Sequence, residues 1–256
     1  MTESFVRSPQ FYVRLAGVFY LAIIVLGLFG ESYVRGTLVV GGDAVATAQN
    51  IKASSSLWRM GIFTDLMMQV LDIPIIVLMY LLFKRVGAGL NLAATCFNLI
   101  QTAVLVANKL TLFIPLILLG GAAYLSAFST EQLAAWSYLS VRMYNYGFAA
   151  GLIFFGIACV IRGYLIVKSE LFPKFIGRLL TLAGVCYLVN SSAILLALDI
   201  APLLFPWIYL PVLVGELTLS LWMVVKGVNM SKWQALQQTA DEPSQPDEHP
   251  NGNLNP

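Results

Sequence analysis

The chain has 256 residues, 59% of them hydrophobic and only 11% charged, with a net charge of +2. Soluble domains carry about 25% charged residues, and one this apolar would expose large greasy patches, so the composition calls for a bilayer as solvent. The charge is too small, and too little interleaved with aromatics, for a nucleic-acid partner.

Six segments are long and apolar enough to cross the membrane: 11–30, 61–83, 88–112, 138–167, 175–198 and 203–225. Spanning ~30 Å of hydrocarbon at about 1.5 Å per residue takes some twenty residues. In lipid each must be a helix, because its backbone polar groups have to be satisfied within the segment. The expected fold class is therefore all-α, a polytopic helix bundle over 1–230. The first span is too long for a signal peptide, and Gly30-Glu31-Ser32 makes a poor cleavage site, so it is expected to be retained.

Between the first two spans lies the one sizeable loop, 31–57, with a short helix expected after Asp43. The third and fourth segments are overlong. Pro115 is placed to bend the third, and Ser129-Thr130-Glu131 reads as a helix N-cap well before Tyr138. The fifth repeats a heptapeptide of the first: Leu15-Ala16-Gly17-Val18-Phe19-Tyr20-Leu21 returns as Leu182-Ala183-Gly184-Val185-Cys186-Tyr187-Leu188. A parallel repeat would produce this echo, as would the shared dominance of Leu, Ala, Gly and Val. After the sixth span a polar tail, 231–256, has almost nothing to bury and is expected to be disordered.

Lys and Arg set the expected orientation. Arg7, Arg14, Lys84, Arg85, Arg162, Lys168, Lys174, Arg178, Lys226 and Lys232 fall on one side, and only Arg35, Lys52 and Arg59 on the other. Both termini are then expected in the cytoplasm of a cell with the chain in its inner (plasma) membrane. Trp58, Trp136 and Trp207 would mark the outer interface, and Trp222 and Trp233 the inner one. Cys96, Cys159 and Cys186 all sit in apolar stretches and read as small buried residues. The one histidine, His249, lies in the tail, which excludes histidine-held haem, zinc or di-iron centres in the membrane. No cofactor or metal is expected.

Ionisable groups at membrane depth are costly, so each is a default functional candidate. Asp72 and Glu216 fall near the midplane, with Asn98, Gln101 and Asn190 at similar depth; Asp65, Asn108, Lys109, Arg142 and Asn145 belong to the outer half. Asp65, Gln69 and Asp72 share one helical stripe, as do Asn98, Thr102 and Lys109 on the next span. These stripes should turn inward around a polar interior that widens outward. By depth, Asp65 pairs with Lys109 or Arg142. Asp72 and Glu216 then lack a cation of their own, and are kept neutral, hydrogen-bonded to Asn98, Gln101 and Asn190, or answered by a bound cation. Catalytic patterns are weak: there is no intramembrane histidine, no Ser-x-x-Lys and no Gly-x-Ser-x-Gly.

With these features in place, the chain resembles a bacterial family of multi-pass membrane proteins known as domain of unknown function 4386. The runs that carry the resemblance are Val34-Arg35-Gly36-Thr37-Leu38, Gly42-Asp43-Ala44 and Ala46-Thr47-Ala48-Gln49-Asn50-Ile51. Tyr146-Gly147-Phe148, Phe154-Phe155-Gly156, Phe172-Pro173-Lys174-Phe175-Ile176-Gly177, Gly215-Glu216-Leu217, Leu221-Trp222 and Lys226-Gly227 continue it. The resemblance implies about six spans and no established activity, and it directs attention to Arg35 and Asp43 in the outer loop. Three functional readings follow: a cavity binding a small solute, cation or lipid headgroup, for transport or sensing; a membrane-embedded enzyme acting on a lipid; or an accessory subunit of a membrane complex. The oligomeric state is not legible.

Overall fold

A computed structural model describes residues 8–241, and among these the regular structure is helical throughout. Helix α1 starts at Pro9, where a missing N–H costs nothing, and runs to Gly27. It continues as a π-helical stretch, Leu28–Arg35, and a last turn, Gly36–Leu38. The short helix α2 (Ala44–Ala53) is followed by α3 (Ser55–Phe83), which passes through Pro74. Helix α4 (Ala88–Asn108) tightens into a 3-10 turn, Lys109–Phe113, and ends in Ile114–Leu118. Helix α5 (Thr130–Ser169) has 40 residues, ~60 Å at the α-helical rise, so it projects well past the hydrocarbon. A capping box of Ser129 and Gln132 starts it, and Glu170 in the left-handed region ends it. Helices α6 (Lys174–Leu195), α7 (Tyr209–Val225) and α8 (Met230–Asp241) complete the chain.

Five helical stretches among the described residues are long and apolar enough to cross a membrane, and α7 with α8 makes a sixth if that bent pair counts as one span. The sixth segment differs from the expected 203–225. Pro202 and Pro206 break its start, so the helix begins only at Tyr209 and has 17 residues. The tail expected from residue 231 is helical as far as Asp241, because Trp233 finds an apolar seat and is 4% exposed. The expected disorder farther along, beyond Asp241, lies outside the described residues.

The long helices form a ring in chain order. α1 packs on α3, α3 on α4, α4 on α5, α5 on α6 and α6 on α7, and α7 packs back on α1. Neighbours come close through small residues. A Cβ on Gly156 would meet the Gly184 carbonyl at 2.9 Å, and one on Gly163 the Gly177 carbonyl at 2.6 Å, so α5 and α6 touch backbone to backbone. The heptapeptide echo has a physical counterpart: Gly17 and Gly184 both lie at such approaches, and Tyr20 and Tyr187 both line the interior.

Apolar packing is concentrated at the two ends of the ring. Val13, Phe83, Leu165, Phe172, Met223 and Trp233 belong to the cluster at the end that holds both described termini. Val34, Ile51, Trp58, Leu112 and Tyr144 belong to the one at the far end. Outside the ring, Phe11, Val25, Leu110, Leu139 and Val225 are exposed, as lipid-facing residues should be. Two of the expected interface tryptophans are not on the surface. Trp58 is 1% exposed and donates its indole N–H to the Leu112 carbonyl at 2.8 Å, and Trp233 packs from α8 into the apolar cluster at the termini end; Trp136 and Trp207 are exposed.

Candidate functional site

Inside the ring lies a cavity of about 1170 Å³. Its walls are largely apolar, with Ile24, Ile75, Leu105, Leu152, Phe155 and Leu213 among them, and it extends to the far end at Asp199, Pro202 and Trp207. Asp65, Asp72, Gln101, Lys109, Arg142, Asn145, Asn190 and Glu216 all line it, as does Arg35; Asn98 stands behind Asp72 and Gln101. Asp43 does not belong to it. Its carboxylate accepts the Ala46 N–H at 2.9 Å and caps α2, a structural role on the exposed surface.

The first polar group is a buried ion cluster near the far end. Arg35 Nη1 donates to Asp65 Oδ2 at 2.7 Å, and Nη2 to Oδ1 at 3.2 Å. Arg35 Nε donates to Glu31 Oε2 at 2.8 Å. Lys109 Nζ lies 3.1 Å from Asp65 Oδ2 and donates to the Tyr144 hydroxyl at 2.9 Å, and that hydroxyl donates to Glu31 Oε2 at 3.4 Å. Both cations also sit over the Tyr144 ring, at 4.9 Å for Arg35 and 4.7 Å for Lys109. Two carboxylates and two cations balance, and the bidentate Arg–carboxylate pair supplies the geometry that buried charge requires.

Asp65 therefore pairs with Lys109, one of the two expected partners, and with Arg35. Arg142 does not join them; it is exposed, 6.0 Å from the Tyr146 ring. Arg35, expected in the outer loop, is inside because the π-helical stretch carries α1 onward over the bundle. Gly30 makes room for the pair: a Cβ there would overlap Asp65 Oδ1.

A second group lies deeper. Asp72 Oδ2 accepts from Thr102 Oγ1 at 2.8 Å and from Asn98 Nδ2 at 3.3 Å, and Asn98 Nδ2 also donates to Gln101 Oε1 at 3.0 Å. Glu216 Oε1 accepts from the Tyr187 hydroxyl at 2.8 Å. Asn190, expected to serve these acids, donates instead to the Tyr209 hydroxyl at 2.9 Å.

The expectation that Asp72 and Glu216 lack a cation at their level is corrected for Asp72, on which Arg162 acts electrostatically; Glu216 is met by the Tyr187 hydroxyl and by Asp72. Arg162 is expected on the basic side near the end of its span, yet it is only 7% exposed and lines the cavity. Asp72, Arg162 and Glu216 all act electrostatically on both Tyr20 and Cys159, which draws the five into one region. Arg162 forms no ion pair within 4.0 Å among the described residues, and its Nε and Nη2 have no hydrogen-bond partner. The signal for Arg162 was present in the sequence. Asn145, Ala149, Leu152, Phe155, Cys159 and Arg162 follow one another at steps of three and four, and all line the cavity.

The family described as a domain of unknown function (DUF4386) matches residues 15–227, and the chain belongs to it. An uncharacterised protein of Archaeoglobus fulgidus is 23% identical over 166 residues, covering 64% of this chain and 81% of that protein. No solved structure matches the chain.

Proposed function

We propose that this DUF4386 membrane protein binds an amphiphilic small molecule, a lipid or lipid-like solute, inside its ring of helices, for transport or sensing. One observation carries the reading: a cavity of about 1170 Å³ with largely apolar walls and charged residues at its depth. Such a chamber suits a ligand with an apolar body and a polar head, since apolar surface supplies affinity and a few polar groups fix orientation. The far end, where the cavity emerges, is the outer side in this reading, and the inner membrane its location. Moving Arg162 and Arg35 into the interior leaves Lys84, Arg85, Lys168, Lys174, Arg178 and Lys226 at the termini end, so the basic bias survives.

The enzyme reading has less support, because Lys109 is held by Asp65 and Tyr144 and Arg142 stands apart from it, so the two do not form a phosphate clamp. The test is thermal unfolding of the detergent-purified protein with and without an extract of its host's membrane lipids. The expected outcome is a raised midpoint for the wild type that is lost in the Asp72→Asn, Glu216→Gln double variant. A wild-type midpoint indifferent to the extract, with no amphiphile retained through purification by mass spectrometry, overturns the reading.

A further inference from the structure

On the reading that the cavity takes an amphiphile, we infer that the head it recognises is zwitterionic: Arg162 receives an oxyanion, and Asp72 and Glu216 receive an ammonium. Arg162 is 93% shielded from solvent, yet two of its nitrogens, Nε and Nη2, carry N–H groups with no acceptor among the described residues. A buried guanidinium short of acceptors is costly, and a carboxylate or phosphate oxygen reaching it from the cavity it lines is the charged acceptor that suits it. The acids are open in the complementary sense. Both bonds to Asp72 fall on Oδ2, and the one to Glu216 falls on Oε1, so each carboxylate keeps one oxygen without a bond from the described residues. Gln69, on the Asp72 stripe and also lining the cavity, keeps Oε1 unpartnered.

The contrast with the outer cluster matters. There, Glu31, Arg35, Asp65 and Lys109 already satisfy one another. At the deeper level opposite charges share one region of the cavity without closing on each other. A simple anion would meet two carboxylates, and a simple cation would meet the guanidinium. A head with both signs a few bonds apart answers all three.

The probes are four: lysophosphatidylethanolamine, lysophosphatidylglycerol of the same chain, dodecylamine and free phosphoethanolamine, each titrated against the detergent-purified wild type by thermal shift and tryptophan fluorescence. Lysophosphatidylethanolamine is expected to bind about tenfold or more tighter than the glycerol lipid or the amine, the loss expected for one charged hydrogen-bond set. Binding by phosphoethanolamine alone would identify a free solute as the source of the head; binding only by the lysolipid identifies a lipid. Arg162→Gln is expected to abolish the preference over dodecylamine, and Asp72→Asn with Glu216→Gln the preference over lysophosphatidylglycerol. The wild-type comparison stands even if a variant fails to fold. Equal affinity for the three chain-bearing probes overturns the zwitterion and leaves amphiphile binding intact; no binding by any probe, with no response to native lipid, overturns both.

Discussion

Arg35 and Asp65 meet as a two-pronged pair, with guanidinium nitrogens 2.7 and 3.2 Å from the two carboxylate oxygens, inside a ring of helices where Asp65 is 1% exposed. Lys109 completes the neutralisation, so Asp65 answers two cations at once. Removing it should hurt more than removing Glu31, the half-exposed carboxylate that answers Arg35 alone of the two. Asp65→Asn is expected to destabilise the protein by about 3–5 kcal/mol, because it leaves buried cations uncompensated. Glu31→Gln, at a half-exposed site, should cost about 1 kcal/mol or less. Thermal unfolding of the two variants in the same detergent checks the order, and an equal cost for both would refute it.

Gly30 offers a steric test of the same pair. Its Cβ would fall on Asp65 Oδ1, so Gly30→Ala has to displace the carboxylate from Arg35 and is expected to cost about 1–3 kcal/mol. A Cβ on Gly41 meets nothing within 4 Å, and Gly41→Ala should stay within about 0.5 kcal/mol. The measured unfolding midpoints should separate accordingly.

Asp43 should behave as a cap and not as a ligand. Asp43→Ala is expected to cost about 1 kcal/mol, and Asp43→Asn to retain most of the stability, since either side chain can accept the Ala46 N–H. Ligand-dependent thermal shifts should be unaltered in both; a lost shift in the Asn variant would return Asp43 to the site.

At the other end of the ring, Glu170 joins Lys174 and Lys232, each at 2.6 Å, and so ties α8 to the α5–α6 turn. Hydrogen bonds from the two lysines hold its carboxyl down to about 2, below its ordinary 4.5. Because the folded value is the lower one, the tie contributes fully above pH 4.5 and is lost as the pH falls from there toward 2. The protection of the Met230–Gln238 amides from hydrogen exchange, relative to the unfolded chain at the same pH, should therefore fall across that window, and less so in Glu170→Gln. High salt should weaken the tie at neutral pH, as both lysines are exposed.

The apolar runs that make the spans are visible in the sequence because a bilayer needs them continuous, and the i, i+4, i+7 placement of Asp65, Gln69 and Asp72 carries their common face without any structure. Depth narrows the partner of Asp65 to Lys109 or Arg142, and the structure selects Lys109. Arg162 reads as part of the basic end because it falls near the end of its span, yet it lies seven residues before Ser169, ~10 Å along the helix, and its stripe with Asn145 and Cys159 leads to the cavity. Arg35 is hidden for a different reason. Hydropathy falls after Gly30, which reads as a loop, and a π-helical stretch has no signature in apolar periodicity. The docking of Trp233 depends on tertiary contacts that no local pattern encodes, whereas Pro202 and Pro206, which break the start of α7, stand in the sequence itself.

The ring order has a consequence for biogenesis. Each long helix leans on the one synthesised just before it, so pairing can proceed locally as the chain emerges. The exception is the seam between α1 and α7, where Gly17 meets Met223 and Gln10 bonds both backbone groups of Val228, some two hundred residues along. Until that seam zips, the ring is an open crescent and its charged lining faces the insertion machinery or the lipid. The chamber thus closes only once α7 is in place, and a chain cut short before Tyr209 would have walls and no room.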